Sequence, residues 1–190
     1  MQKAEIRKKA LKNRLLLGNE EYEKLNWQLL QQFKLIDISK VKTLHIFLPI
    51  MEKKEPNTFL LIGWLQKNYP KIKIIVPKAD FETALMSHHE YLGEDDLKKN
   101  LYNILEPQKG KIHAGEIEMV IIPLLAFDQR GYRVGYGKGF YDRFLQDSNA
   151  QKIGLSLFPS VNKIDDVHEN DIRLDVCITP TEIIKFDISC

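Results

Sequence analysis

The sequence has little of what would direct a protein into a membrane, out of the cell or onto nucleic acid. Its longest apolar run, MVIIPLLAF at residues 119–127, is too short to span a bilayer, and the basic N-terminus lacks the apolar core of a secretory signal. The two cysteines, Cys177 and Cys190, make neither a disulfide framework nor a zinc spacing. A net charge of +2 offers no general attraction for nucleic acid or an anionic membrane. We therefore predict a cytoplasmic protein with small-molecule partners, and a buried thiol at Cys177.

The composition that remains suits one folded domain. The 190 residues are 44% hydrophobic and 28% charged, which is ordinary for a globular protein, and no repeat or linker interrupts them. We expect a single domain over residues 1–190 and a monomer. Apolar periodicity predicts helices over residues 3–17, from an Asn19 cap onward, over residues 58–69 and over residues 141–148, and residues 93–107 are predicted as a weak helix followed by a loop. Apolar runs predict strands at residues 43–49, 71–77, 84–92, 119–127, 152–158 and 175–180.

The order of these elements predicts the fold class. Strands alternate with helices, and several strands are apolar on both faces, which is typical of a layered α/β/α protein with a mostly parallel central sheet. The most apolar strand, at residues 119–127, runs straight into a glycine-rich loop and then a helix. Open α/β sheets bind their ligands at such a junction. We therefore expect the functional site in the loop after this strand.

That loop, DQRGYRVGYGKGFYDRFL at residues 128–145, combines glycines with cations. The residues concerned are Gly131, Gly135, Gly137, Gly139, Arg133, Lys138 and Arg143. The glycines allow positive φ angles and let backbone N–H groups converge, and a helix that starts next adds free N–H groups. With the cations, this pattern indicates a phosphate site, although neither the Walker A nor the dinucleotide G-x-G-x-x-G spacing fits. A solvated glycine-rich surface loop is the alternative.

Acidic residues near the loop suggest a metal ion. Asp142 would repel a bound phosphate unless a cation lies between them, and Mg²⁺ takes carboxylate and phosphate oxygens together. The alternative is an acid that complements the start of a helix. Asp175, at the start of the last predicted strand, is either a second carboxylate for the ion or an ordinary strand-edge residue.

The N-terminal helix carries cations on one face. Lys3, Arg7 and Arg14 are separated by 4 and 7 residues, which places them within one narrow stripe. Such a stripe is either a solvated face or, where its first residues lean over the glycine loop, a second support for a polyphosphate.

The histidines do not predict a metal site. His88 and His89 are neighbours on a predicted strand, so their side chains point to opposite faces of the sheet. We interpret them, together with His45 and His168, as polar residues near the surface.

At residues 125–145 the sequence LAFDQRGYRVGYGKGFYDRFL resembles the signature of the 5-formyltetrahydrofolate cyclo-ligases, also called methenyltetrahydrofolate synthetases. That signature is roughly aspartate, two residues, glycine, any residue, arginine, an aliphatic residue and a G-x-G-x-G-aromatic-Tyr-Asp run. Other segments similar to the family are KAEIRKKAL at the N-terminus, HIFLPIMEKKEPNT at residues 45–58, ILEP at residues 104–107 and HENDIRLDVCIT at residues 168–179. The resemblance covers nearly the whole chain.

The resemblance implies a ligase that cyclises 5-formyltetrahydrofolate to 5,10-methenyltetrahydrofolate with ATP and Mg²⁺, releasing ADP and phosphate. It also implies the layered fold that is shared with sugar-phosphate isomerases and CoA-transferases. Phosphorylation of the formyl oxygen would turn a poor leaving group into a good one, after which N10 of the folate closes the ring.

The resemblance further assigns roles to residues of this chain. Nucleotide contacts fall on Lys3, Arg7, Arg133, Val134, Gly135, Tyr136, Gly137, Lys138, Gly139, Phe140 and Tyr141. Folate contacts fall on Ile50, Glu55, Tyr136, Gly137, Lys138, Gly139 and Phe140. Glu55 would recognise the polar edge of the pterin. Arg133 and Lys138 would be catalytic, and Asp142 and Asp175 would hold Mg²⁺.

Three other functions are compatible with the residues alone. A phosphate-binding protein such as a sugar-phosphate isomerase would share the strand and glycine loop but would not need Lys3, Arg7 or paired acids. A nonenzymatic nucleotide- or folate-binding module would need no catalytic group. An RNA-binding protein is disfavoured by the near-neutral charge and by the lack of an aromatic RNA-reading motif.

Overall fold

The computed structural model describes residues 1–187, in which helices flank a central sheet. The helices are α1 (Lys3–Leu15), α2 (Asn19–Phe33), α3 (Thr58–Asn68) and α4 (Phe140–Leu145), with 3₁₀ helices at Met51–Lys53 and Glu94–Asp96. The strands are β1 (Thr43–Ile46), β2 (Lys73–Asp80), β3 (Leu85–Glu90), β4 (Leu97–Lys99), β5 (Leu105–Pro107), β6 (Met119–Pro123), β7 (Ala126–Phe127), β8 (Arg133–Val134), β9 (Gln151–Leu155), β10 (Val176–Ile178) and β11 (Ile183–Lys185). None of the helices described is long and apolar enough to cross a membrane.

The main sheet has seven strands in the order β11-β10-β9-β6-β1-β2-β3. Strands β2, β1, β6, β9 and β10 run parallel, and β3 and β11 close the two edges as antiparallel strands. The order of the parallel strands therefore reverses between β1 and β6, as it does in doubly wound α/β sheets. Such a reversal opens a crevice at the carboxyl ends of the strands. The predicted layered fold with a mostly parallel sheet is confirmed.

Strand β6 contributes to two separate cores. Met119 and Ile121 belong to the cluster that contains residues of α2 and α3, whereas Val120 and Ile122 belong to a cluster that contains Leu145 of α4. Because both faces of the strand are covered, its sequence is a continuous apolar run rather than an alternating one.

Helix α1 packs on the short hairpin β7–β8 instead of on the main sheet. Its Ile6 forms a small buried cluster with Ala126, Val134 and Ile164. The start of the helix is held by the backbone N–H of Lys3, which donates to the Asp166 carboxylate at 2.6 Å. This docking brings the cations of α1 to the glycine-rich loop.

The weak helix predicted within residues 93–107, ahead of a loop, is wrong, because this segment forms a 3₁₀ turn and the antiparallel hairpin β4–β5. The Asn100 side chain accepts hydrogen bonds from the N–H groups of Tyr102 at 2.8 Å and Ile104 at 3.1 Å. Asn103 adopts a positive φ of 59° in the same turn. Asparagine favours turns over helix through such local bonds.

Smaller differences concern the ends of elements. The helix expected at residues 141–148 runs from Phe140 to Leu145, and Asn19 is the first residue of α2 rather than its cap, since Gly18 precedes it without a side-chain bond. The strand predicted at residues 119–127 is divided into β6 and β7, and strands β8 and β11 have no counterpart in the prediction. Cys177 is buried as predicted, and Cys190 lies outside the described residues. The single domain and the monomer stay predictions.

Candidate active site

A cavity of about 660 Å³ lies at the carboxyl ends of the parallel strands. Phe47 and Leu48 reach it from the end of β1, Pro77 and Ala79 from β2, and Pro123 from the end of β6. These strand ends flank the point where the strand order reverses. The cavity therefore lies where an open α/β sheet binds its ligands.

One side of the cavity is built from the glycine-rich loop and from α1. We call it the loop wall, defined by Lys3, Arg7, Arg133 and the lining residues Gly135, Tyr136, Gly137, Lys138, Gly139, Phe140, Tyr141 and Asp142. Asp128 fixes the base of this loop, because its fully buried carboxylate accepts hydrogen bonds from the N–H groups of Arg130 at 3.0 Å, Tyr132 at 3.1 Å and Ile164 at 3.2 Å.

The glycines of the loop wall do different things. Gly137 has a φ of 85°, and a Cβ there would lie 3.2 Å from the Arg7 guanidinium, which itself donates to the Gly135 carbonyl at 2.9 Å. Gly139 has a φ of 69° at the start of α4. Gly135 has no atom within 4 Å of where a Cβ would stand. Gly137 and Gly139 therefore allow the backbone to adopt positive φ angles, whereas Gly135 leaves open space for a ligand.

Two of the cations in the loop wall are already paired with carboxylates. Lys3 forms an ion pair with Asp171, and the Arg133 guanidinium pairs with Asp142 Oδ1 at 2.8 Å. The Lys138 ammonium makes no ion pair within residues 1–187. A bound anion would therefore compete with two carboxylates for Lys3 and Arg133 and would meet Lys138 directly.

A second side of the cavity is apolar. We call it the aromatic wall, and its residues are Phe81, Met86, Tyr102, Ile104 and Leu105. The Phe81 ring lies 4.3 Å from the Tyr102 ring and 5.3 Å from the Phe140 ring, measured between centroids. These residues come from the end of hairpin β2–β3 and from hairpin β4–β5. Nothing in the sequence analysis identified this wall, since its members are far apart along the chain.

Glu55 is the more deeply buried of two buried acids that line the cavity, with 3% of its surface exposed against 9% for Glu106. Its Oε2 accepts from the Ile50 backbone N–H at 2.7 Å, and its Oε1 accepts from the Tyr136 hydroxyl at 2.6 Å. Burial raises the pKa of Glu55, an effect that the two hydrogen bonds and the charges of Arg14 and Lys53 oppose. Burial also raises the pKa of Tyr136, and the Glu55 charge adds to that rise.

Two of the predicted site residues do not line the cavity. The Val134 side chain lies in the small core under α1, and its backbone carbonyl accepts from the N–H of Leu125 at 2.8 Å. Asp175 accepts from the Lys152 backbone N–H at 2.6 Å and lies 3.5 Å from the Lys152 ammonium. The structure therefore does not bring Asp175 into the cavity with Asp142. Asp171, four residues earlier in the segment HENDIRLD, does line it.

The interpretation of His45 as a surface residue is wrong. His45 is fully buried, and its ring lies 5.1 Å from that of His88, again between centroids. Neither nitrogen of His45 has a hydrogen-bond partner, and the same holds for Nδ1 of His88 and the hydroxyl of Tyr141. Burial lowers the pKa of both imidazoles, that of His88 to about 4. These rings support the loop wall from below through Tyr141, which lies 6.0 Å from His45.

The fold and the cavity define the class of the protein as a layered α/β protein with a ligand site at the switch point of its sheet. The glycine loop and the cations of α1 form one side of that site. Over residues 1–180 the chain matches the 5-formyltetrahydrofolate cyclo-ligase family, and it belongs to that family. The resemblance seen in the sequence is thereby confirmed.

Individual relatives span the whole chain. A 5-formyltetrahydrofolate cyclo-ligase of Mycoplasma pneumoniae is 26% identical over 181 residues, which cover 94% of this chain and 98% of the relative. The NMR structure of Aquifex aeolicus 5,10-methenyltetrahydrofolate synthetase matches with a TM-score of 0.83 and 29% identity over 100% of this chain and 95% of that one. The structure of a 5,10-methenyltetrahydrofolate synthetase from Mycoplasma pneumoniae matches with a TM-score of 0.73 and 25% identity, over 95% of this chain and 99% of that one. The protein is thus an enzyme, a ligase of folate one-carbon chemistry.

Proposed function

We propose that this protein cyclises 5-formyltetrahydrofolate to 5,10-methenyltetrahydrofolate in a reaction that consumes ATP, requires Mg²⁺ and releases ADP and phosphate. The observation that carries the proposal is the division of one cavity into a loop wall with cations and an aromatic wall with a buried acid nearby. A nucleotide needs the first kind of surface and a reduced folate needs the second. Membership of the cyclo-ligase family supports the same pairing of ligands.

The chemistry explains why both ligands would meet in one cavity. The formyl oxygen would attack the γ-phosphorus of ATP, and ADP would leave. N10 of the folate would then attack the formyl carbon and lose its proton to water, and the C–O bond would break as phosphate departs. The protein has to align the reacting atoms and balance moving charge, which needs no covalent nucleophile.

For the phosphates, we assign the loop wall. The backbone N–H groups of residues 133–141 would surround the phosphate oxygens, and the open space at Gly135 supports their close approach. Lys3 and Arg7 would contribute charge from α1, whereas Arg133 and Lys138 would stabilise the phosphoryl group as it transfers. The acids now paired with Lys3 and Arg133 would then be released.

For the folate, we assign Glu55, Ile50 and the lining part of residues 136–140. The Glu55 carboxylate accepts hydrogen bonds, as recognition of the N–H groups of a pterin requires. Stacking of the folate rings on the aromatic wall would add apolar contact area. Phe140 contacts both walls and would lie near the point where the ligands meet.

For Mg²⁺, we assign Asp142 first. Both of its hydrogen bonds to described residues are accepted by Oδ1, so Oδ2 is left for a cation. A bound Mg²⁺ would neutralise phosphate charge beside Arg133. Asp175 remains the proposed second ligand, although it would have to leave Lys152, and Asp171 is the carboxylate that already lines the cavity.

The proposal is tested by mixing the purified protein with 5-formyltetrahydrofolate and following the absorbance of the methenyl product. We expect a signal only when ATP and Mg²⁺ are both present, with one ADP formed for each methenyl group. Folded protein that binds ATP but gives no methenyl signal would instead support a phosphate-binding protein of another activity. A structure with ADP outside the loop wall would overturn the assignment of the phosphates.

A further inference from the structure

Arg14 is a buried cation at the end of α1 that the proposed reaction does not use. Only 3% of its surface is exposed, and it does not line the cavity. Its Nε donates to the Lys53 carbonyl at 2.7 Å, Nη1 donates to the Leu124 carbonyl at 3.3 Å, and Nη2 donates to the Tyr136 hydroxyl. One side chain thus joins α1 to the 3₁₀ helix, to the end of β6 and to the glycine loop.

The Tyr136 hydroxyl forms a bridge between Arg14 and Glu55. It accepts from the Arg14 guanidinium and donates to Glu55 Oε1 at 2.6 Å, and Arg14 Nη2 lies 3.9 Å from the same oxygen. The side chains of Arg14 and Glu55 are each 4% exposed. A buried carboxylate of this kind requires a nearby positive charge to stay ionised.

Other charged or titratable groups also face Glu55, but none replaces Arg14. The Lys53 ammonium lies 4.5 Å from the centroid of the Tyr136 ring and is the other cation near the acid. Tyr22 of α2 donates to the Glu55 backbone carbonyl rather than to its carboxylate. Tyr141 interacts with Glu55 through charge alone. Arg14 is the one described cation that is bonded to the bridging hydroxyl.

We propose that Arg14 is a positioning residue for the folate end of the cavity, holding the Glu55 carboxylate and the Tyr136 ring in place through the hydroxyl bridge without touching substrate. This inference rests on the proposed function, in which Glu55 recognises the pterin. The forked guanidinium suits the role, since its donors reach acceptors in three directions. A lysine at this position would keep the charge but not the three bonds.

The first test compares Arg14→Gln with Lys12→Gln, which removes an exposed cation from the same helix. We expect Arg14→Gln to raise the KM for 5-formyltetrahydrofolate by about tenfold or more and the KM for ATP by less than about twofold. The acid limb of kcat/KM for folate should move to higher pH, because Glu55 then protonates more easily. Lys12→Gln should leave all three quantities unchanged. Equal losses for both substrates would overturn the inference.

Arg14→Lys separates charge from geometry. It should restore the acid limb of the pH profile while recovering only part of the affinity for folate. A lysine variant with the wild-type folate KM would overturn the role of the forked side chain. Thermal unfolding of each variant shows whether it is folded. If Arg14→Gln does not fold, the folate KM of Arg14→Lys alone tests the inference.

Glu55→Gln and the double variant distinguish this inference from the proposed function. If Glu55→Gln leaves the folate KM unchanged, the assignment of Glu55 to folate fails whatever Arg14 does. If Glu55→Gln raises the folate KM, we expect Arg14→Gln to raise it little further in the double variant, because Arg14 acts through Glu55. Fully additive losses would overturn the inference and leave the proposed function intact. The double variant also avoids an uncompensated buried charge, which favours its folding.

Discussion

The two walls of the cavity are built by different means. In the loop wall, positions are set by backbone conformation and ion pairs, such as the positive φ of Gly137 and the contact between Arg133 and Asp142. In the aromatic wall, positions are set by rings that pack on each other and stay partly in solvent, as Tyr102 does with 62% of its surface exposed. The first wall is charged and held by backbone bonds, whereas the second is apolar and partly exposed.

This difference separates the expected effects of substitutions. A change in the loop wall removes a fixed charge or fills a fixed space, so it should act on ATP and on turnover. A change in the aromatic wall removes apolar contact, so it should act on folate affinity and by smaller factors. A substitution in the loop wall that affects only folate, or one in the aromatic wall that affects only ATP, would contradict this division.

Arg133→Ala should have the largest effect. The side chain is 7% exposed, and its loss removes a cation beside the proposed phosphate site and leaves Asp142 without its ion-pair partner. We expect kcat/KM for ATP to fall by about a hundredfold, or roughly 2.7 kcal/mol of transition-state stabilisation. Arg173→Ala is the control, because Arg173 donates to the carbonyls of Arg130 and Asp187 and does not line the cavity. Full activity of Arg133→Ala would contradict the assignment of the loop wall to phosphate.

Asp142→Asn should change the metal requirement. The amide keeps the size of the side chain but loses the charge, so the Mg²⁺ concentration at half-maximal rate should rise by about tenfold or more. Asp175→Asn should share this shift only if its carboxylate leaves Lys152 for the ion. Asp147→Asn, which changes an exposed acid in the same region, serves as the control. An unchanged Mg²⁺ titration would remove Asp142 as a ligand.

Gly135→Ala tests whether the space in the loop wall belongs to the nucleotide. A methyl group fits there without touching the protein, so the thermal stability should not change, whereas the KM for ATP should rise by about tenfold. Gly137→Ala is the matched comparison. Its φ of 85° and the nearby Arg7 guanidinium predict a loss of stability of about 1 kcal/mol as well. A Gly135→Ala variant with wild-type ATP kinetics would mean that the ligand lies elsewhere.

The same contrast explains how much of the site could be predicted from the sequence. The loop wall is mostly one continuous stretch, so its glycines and cations indicate a phosphate site from the sequence alone. Its position directly after the most apolar strand was enough to locate it at the end of the sheet. The aromatic wall depends on hairpins that meet only in the folded protein. Tyr102 even lies in a segment predicted as a weak helix followed by a loop, because the turn-forming role of Asn100 and Asn103 is not apparent from the composition.

The fold shows the same limits. Buried parallel strands such as β6 are predictable because two-sided burial leaves a continuous apolar run. Burial of polar residues is not, since His45 and Arg14 look like surface residues until the sheet and α1 are assembled around them. Asp171 and Asp175 lie in one short segment, and only the fold shows which of them reaches the cavity.

Tyr102→Ala should affect folate alone. Loss of one ring from the aromatic wall should raise the KM for 5-formyltetrahydrofolate by about threefold to tenfold and leave the KM for ATP unchanged. Leu101→Ala is the matched control, because the neighbouring Leu101 is fully exposed and does not line the cavity. A larger effect on ATP than on folate would show that the two walls do not divide the substrates as proposed.

His88→Phe should have the smallest effect, and it concerns the support beneath the loop wall. The folded imidazole has a pKa of about 4 against 6.5 for a free one, so the unfolded chain binds more protons between these values. Wild-type stability should therefore fall as the pH drops from about 6.5 towards 4. Because the ring is partly exposed and His45 contributes separately, we expect the variant to recover only about 1 kcal/mol of this loss, or roughly 2–4 °C in Tm at pH 5. His168→Gln, which changes a histidine at an exposed site, is the control. A His88→Phe variant whose Tm falls with acid as steeply as that of the wild type would show that this imidazole binds a proton as readily in the folded protein as in the unfolded chain.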